Sequence, residues 1–169
     1  MMKKTILLIL VLTVMLVISV GYSDSRHRTA IGEPAPALVL SRPDTTLVLR
    51  DAPGKYVLLN FWSSTNALSR QLINRYTAWL RANPGSNLDL VSVNFDSNPR
   101  LFSEIVRRDG LMPSTQFHVA GDTARAVASA YGLRNAYGSL LIGPDGKIAA
   151  HNPDEAALTR ITGAKPRRQ

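Results

Sequence analysis

Apolar positions change their period along the chain, and each change predicts an element. Tyr56-Val57-Leu58-Leu59-Asn60 is a short, nearly continuous apolar run behind the turn sequence Asp51-Ala52-Pro53-Gly54-Lys55, and it predicts a buried strand over 57–61. From Leu68 the period becomes helical: Leu68, Leu72, Tyr76 and Leu80, with Ile73 and Trp79 beside them, make one apolar face that Asn83-Pro84-Gly85 ends. Residues 88–95 return to a strand, with Leu90, Val91, Val93 and Phe95 apolar. Ser97-Asn98-Pro99 opens a second helix whose buried face is Leu101, Phe102, Ile105 and Val106, and Gly110-Leu111-Met112-Pro113 closes it. A short strand over 116–119 follows. The next helix is capped by Asp122, carries Ala124, Val127, Ala128 and Tyr131, and stops at Gly132. Residues 139–142 and 147–151 are hairpin partners around the turn Gly143-Pro144-Asp145-Gly146, and residues 154–162 are the last helix.

Ahead of this alternation, Leu38-Val39-Leu40 and Thr46-Leu47-Val48-Leu49 flank Arg42-Pro43-Asp44 as a small hairpin, and Ile31-Gly32-Glu33-Pro34-Ala35-Pro36 is extended because each residue before proline is pushed out of the helical region. Strands alternating with helices imply parallel pairing by right-handed crossovers, and the closing hairpin adds antiparallel strands. The fold class is α/β: a mixed central sheet flanked by helices on both faces, with an N-terminal hairpin extension.

At the start of the chain, Lys3-Lys4 precede an apolar run from Ile6 to Val20, and Ser19 and Gly21 occupy the −3 and −1 places of a cleavage before Tyr22. The run is shorter than the roughly 20 residues of a membrane span. Residues 1–21 are read as an export signal or a signal anchor, 22–30 as a polar linker, 31–163 as one domain and 164–169 as a basic tail. The domain is therefore expected outside the cytoplasm, in the periplasm or anchored to the inner membrane facing out, touching the membrane only if the N-terminal segment is uncleaved.

Composition narrows the chemistry. The 169 residues contain no cysteine, which removes disulfides, thiolate chemistry and Cys-ligated zinc. Lys and Arg outnumber Asp and Glu by 20 to 12, but no basic run interleaved with aromatics occurs in the body, so no nucleic-acid partner is expected. His27, His118 and His151 lack metal-ligand spacing, so neither metal nor cofactor is expected.

With these elements in place, the chain resembles extracytoplasmic thioredoxin-like proteins of the TlpA/ResA branch, related to the AhpC/TSA peroxiredoxins. The likeness covers roughly residues 31–163 and rests on Gly32-Glu33-Pro34-Ala35-Pro36, on Phe61-Trp62, Ser64 and Arg70, and on Tyr131-Gly132-Leu133 with Leu141-Ile142-Gly143-Pro144-Asp145-Gly146-Lys147-Ile148. The resemblance implies two cysteines where this chain has Asn66 and Ser69, a tryptophan where it has Thr65, and a cis-proline where it has Tyr137. A cis bond before a non-proline residue costs about 2.5–4 kcal/mol, so the bond before Tyr137 is expected to be trans. Thiol–disulfide exchange needs a thiolate. The expectation is thus a protein that is not an enzyme: a module without redox activity that binds a protein or peptide of the cell envelope. The alternatives are a thiol-disulfide oxidoreductase serving cell redox homeostasis, as the resemblance implies, and an enzyme of another class built on the polar corner at 61–70.

Within that corner, Ser63, Ser64, Thr65, Asn66 and Ser69 read first as helix-capping groups. The sharper reading is an anion or peptide site on the same N–H groups, helped by Arg70. Trp62, Thr65, Asn66, Arg70 and Tyr137 are the candidate binding residues. Tyr137, Tyr131 and Trp62 form an aromatic group near the corner that reads first as core or semi-exposed packing; joint exposure of Trp62 and Tyr137 would instead mark a partner surface. Asp96 ends a strand on the side where α/β proteins bind ligands, yet reads as an ordinary turn carboxylate. Asp122, Asp145 and Asp154 read as cap and turn residues.

Overall fold

The structure is a computed structural model that describes residues 29–42, 44–49, 54–133 and 137–164. The export segment, most of the linker, Pro43, the Asp51-Ala52-Pro53 part of the first turn and residues 165–169 lie outside the described residues.

Strands β1 (Val39–Arg42) and β2 (Thr45–Val48) form the N-terminal hairpin. β3 (Tyr56–Trp62), β4 (Leu88–Asn94), β5 (Gln116–His118), β6 (Ser139–Ile142) and β7 (Ile148–His151) form one sheet in the order β5-β4-β3-β6-β7. β3, β4 and β5 are parallel, and β6 and β7 add antiparallel strands on the far side of β3. β3 is central and covered on both faces, which is why its sequence is a continuous apolar run and not an alternation.

Alternate residues of β3 feed two cores. Val57, Leu59 and Phe61 pack with Val91, Val93, Phe117 and Val127, beneath the hairpin residues Leu38 and Leu40. Leu58 and Trp62 pack with Ile73, Tyr76, Leu90, Ile105 and Leu158. Helix α3 (Gly121–Ala130) covers the first face; α1 (Ala67–Ala82), α2 (Pro99–Arg108) and α4 (Glu155–Thr162) cover the second.

The helix starts follow from their caps. The side-chain oxygens of Asn66, Asn98 and Asp154 accept from the backbone N–H of Ser69, Arg100 and Ala157, and each such cap is worth about 1 kcal/mol. The expected cap of α3 is corrected. Ala120 holds the cap position without a side-chain bond, and Asp122 lies in the first turn beside Arg125, where a carboxylate faces the positive end of the helix dipole. α2 and α3 end alike: after α2, Gly110 at φ 61° lets Leu111 N–H reach the Val106 carbonyl at 3.0 Å and its own N–H reach that of Arg107.

The phase of α1 also differs from the sequence expectation. Leu68 is 77 % exposed, and the buried side is Ser69, Ile73, Tyr76, Thr77 and Trp79, with Leu72 and Leu80 half-covered at its margin. Ser69 Oγ is bound to the backbone of Ser63 and Asn66, and this fixes the rotation of the first turn with Leu68 outward.

A polar row crosses the second face. Register places Ser139, Asn60, Ser92 and Gln116 side by side on four strands, all buried. Ser139 Oγ bonds the Tyr76 hydroxyl at 2.6 Å, but both amide atoms of Asn60 and the hydroxyl of Ser92 have no partner within the protein among the described residues.

Candidate functional site

The corner between β3 and α1 is held from below by one carboxylate. Asp96, only 5 % exposed, follows β4 by two residues, and Phe95 N–H extends the parallel ladder to the Trp62 carbonyl at 3.0 Å. That step brings the Asp96 carboxylate under the chain leaving β3. One oxygen accepts from Ser63 Oγ at 2.7 Å and Ser64 N–H at 2.9 Å, and the other accepts from Asn94 Nδ2 at 3.0 Å. Asp96 N–H donates to Asn94 Oδ1 at 3.0 Å, and the Asp96 carbonyl is 2.7 Å from His118 Nε2. The sequence reads Asp96 as an ordinary turn carboxylate; in the structure that carboxylate is the centre of the corner's hydrogen bonding. The available signal was an acidic residue two places beyond a buried strand, facing two consecutive serines across the parallel pair.

Ser63 is buried, donates to Asp96 and stands 3.0 Å from the Thr65 hydroxyl. A buried hydroxyl committed to a carboxylate fixes the loop. Asn66 turns the chain: its N–H reaches the Ser63 carbonyl at 3.1 Å, and its Oδ1 takes the Ser69 N–H at 2.8 Å. Of the five polar residues expected to cap, Asn66 caps α1; Ser63 and Ser69 tie the loop to itself.

Trp62 is fully buried, with its ring centroid 6.1 Å from that of Phe102 and its indole N–H without a partner within the protein among the described residues. Tyr137 is half-buried on the opposite face, 5.6 Å from the Phe95 ring. Packing, the first reading of these rings, agrees with their burial, and the joint exposure of Trp62 and Tyr137 does not occur; the grouping is corrected, because adjacent residues of a strand point to opposite faces and Phe61, not Trp62, joins the Tyr131, Phe95 and Tyr137 group. Phe61, Tyr131 and Tyr137, with Leu133 and Asn152, line a cavity of about 150 Å³. The bond before Tyr137 includes Ala136, which lies outside the described residues.

Arg70 does not reach the corner loop. Its guanidinium makes a two-pronged pair with Asp109 beyond α2, with contacts of 2.6, 2.8 and 3.1 Å, and so clamps α1 to α2. What the corner offers outward is Thr65, Ala67 and Leu68, all exposed, beside the half-buried Ser64 and Asn66. His118 stacks on Phe102 and His151 is exposed on β7; among the described residues no group of His, Asp and Glu is placed to hold a metal.

Comparison with known proteins bears on this geometry. The chain is 24% identical over 162 residues to the thiol-disulfide oxidoreductase ResA of Bacillus thuringiensis, covering 95% of this chain and 91% of that protein, and it matches ResA of Bacillus anthracis equally. Among solved structures, a thioredoxin-like protein from Parabacteroides distasonis superposes with a TM-score of 0.68 at 28% identity, over 80% of this chain and 96% of the other. A thiol:disulfide interchange protein from a Bacteroides species superposes with a TM-score of 0.71 at 20% identity, over 81% and 93%. The fold is thioredoxin-like. The expectation that the chain is not an enzyme is corrected by these relatives, whose name, thiol-disulfide oxidoreductase, is that of an enzyme. Residues 31–151, from the turn at Ile31-Gly32, which replaces the expected extended start, through the end of β7, match the AhpC/TSA family, and the chain belongs to that family.

Proposed function

We propose that this family member is exported, binds an extended polypeptide at the β3–α1 corner, and carries out no thiol exchange of its own. The observation that carries the binding reading is Leu68. An aliphatic side chain 77 % exposed in the first turn of α1, beside exposed Thr65, stands on a loop whose neighbours are locked by Asp96 and Ser69. Exposure of one apolar side chain on a rigid, polar-rimmed platform suits a partner that brings its own apolar residue and satisfies its main chain against Thr65 and Asn66. The export reading rests on Lys3-Lys4 and the apolar run from Ile6 to Val20. Among the described residues no helix is long and apolar enough to cross a membrane.

The redox part follows from chemistry. The thiolate is the attacking group in disulfide exchange, and the chain has none. Dithiothreitol is expected to reduce the disulfides of insulin at the same rate with and without the purified protein; acceleration by the protein overturns this part. For the binding part, tagged protein retained in the cell envelope is expected to capture a polypeptide that Leu68→Asp and Thr65→Arg lose while both variants keep the wild-type unfolding midpoint. Equal capture by both variants removes the corner as the site.

A further inference from the structure

We propose that the first half of β4 is an open sheet edge to which an extended, acidic polypeptide segment adds as a short strand. β4 runs parallel to β3, so it begins at the end of the sheet far from the corner. On one side Leu88 to Asn94 all pair with β3. On the other side β5 is three residues long and pairs only with Ser92, Val93 and Asn94. The chain ahead of β5 turns aside as the 3-10 turn Pro113–Thr115, and Leu88 to Val91 have no strand beside them there.

The backbone groups on this edge follow from alternation, because successive residues of a strand direct their N–H and C=O to opposite sides. Phe95 N–H reaches the Trp62 carbonyl beyond β3, and the Asn94 carbonyl accepts from Val119 N–H beyond β5, each at 3.0 Å. Counting back from Asn94 in twos, Leu90 and Leu88 face the open side. Neither ladder reaches their groups, and no turn, loop or side-chain bond to Leu90 N–H or to the Leu90 and Leu88 carbonyls is present among the described residues. A strand edge with unpaired N–H and C=O groups is a template for another extended chain.

The space beside the edge has the dimensions of one strand. A cavity of about 680 Å³ runs along Leu88 to Val91. Leu80 and Met112 wall it on the α1 side, Leu47 of the hairpin walls it on the other, and Thr115 closes the end nearer β5. Four residues of strand span about 13 Å. Walls on both sides of the sheet plane suit a single extended chain better than the edge of a second folded sheet.

Charge selects the segment. The cavity is lined by Arg42, Lys55 and Arg81 against one carboxylate, Asp89. Lys55 pairs with Asp89 at 3.3 Å, and Arg42 lies 3.7 Å from Asp44 while donating to the Pro113 and Ser114 carbonyls. Arg81 donates to the Gly110 carbonyl at 2.6 Å and has no carboxylate partner among the described residues. Leu88 and Leu90 point to the face that α1 covers. Residues of the added strand on that face meet Leu80 and Met112, with Arg81 next to Leu80 on the helix. The fitting segment therefore carries an apolar residue and, two places along, a carboxylate. This edge is at the opposite end of the sheet from the corner, and its argument does not depend on binding there.

The probe is acetyl-Ser-Val-Thr-Glu-Thr-amide, added to the full chain with its N-terminus as the cell leaves it, and amide exchange is read by NMR. Without peptide, Leu90 N–H is expected to exchange roughly tenfold or more faster than Asp89 and Val91 N–H, which face β3. The peptide is expected to slow Leu90 exchange several-fold and to leave the Thr65 and Leu68 amides unchanged. The same peptide N-methylated at alternate residues is expected to lose this effect, since its main chain cannot pair. Arg81→Glu is expected to weaken the peptide several-fold at an unchanged unfolding midpoint, and replacing the peptide's glutamate by lysine to restore it. Leu90 N–H already protected without peptide, in dilute protein or only in concentrated protein, assigns the edge to the chain itself or to a second copy and overturns the proposal. No slowing at Leu90, equal slowing by the N-methylated peptide, or a response centred on Thr65 and Leu68 also overturns it.

Discussion

At the scale of single residues, the same side-chain type carries opposite weights according to its partner. Ser63 and Ser92 are both buried serines. Ser63 donates to the Asp96 carboxylate at 2.7 Å, while Ser92 Oγ has no partner within the protein among the described residues. Ser63→Ala is expected to cost about 1.5–3 kcal/mol, the range for hydrogen bonds to charged groups, and Ser92→Ala to stay within about 0.5 kcal/mol of wild type or to stabilise. Urea unfolding of the two variants measures the contrast. Two tyrosines set a limit at alkaline pH. Burial pushes the Tyr131 phenol well above its ordinary value, and burial raises Tyr76 as well, partly offset by its bond to Ser139. The folded protein then keeps phenolic protons that the unfolded chain releases. This contribution to stability is complete below about pH 10, the pKa of an unperturbed tyrosine, and is lost as pH rises beyond it. The urea midpoint is expected to decline above that pH, with a shallower slope in Tyr131→Phe.

At the scale of elements, local chemistry decides boundaries and packing decides rotation. The expected strand over 57–61 became β3, and Asn98-Pro99 began α2 where sequence placed it, because a cap and a proline at the first position act within a few residues. The phase of α1 was not legible, since the leucine spacing and the Ser69 spacing differ by one residue and only tertiary bonds to Ser63 separate them. The corner was located by sequence, but its support was not: Asp96 is thirty-odd positions away, and its role depends on the register of two parallel strands. That Trp62 and Tyr137 lie on opposite faces was not legible for the same reason, because face assignment along β3 requires knowing which residues each sheet face packs against. Helix termination offers a direct check. A Cβ at Gly110 would meet nothing within 4 Å, and the residue holds φ 61°. Gly110→Ala is therefore expected to destabilise by about 1 kcal/mol through backbone conformation alone, read from the thermal midpoint.

At the scale of the whole molecule, a thioredoxin-like fold is present in a chain that contains no cysteine. The chain keeps the sheet order, the helix caps and the family match over residues 31–151, while Asn66 and Ser69 hold the positions where the resemblance implies cysteines. A fold hosts a function through its site, and the site proposed here is a hydrogen-bonded corner with an outward leucine. The central claim is that polypeptide binds at the corner. The most direct measurement replaces Leu68 with a photo-crosslinking residue and, separately, Asn87 at the far end, then irradiates each protein in its cell envelope. A discrete polypeptide adduct at position 68, suppressed by Thr65→Arg and missing at position 87, is the predicted result. No adduct at 68, or the same adducts at both positions, contradicts it.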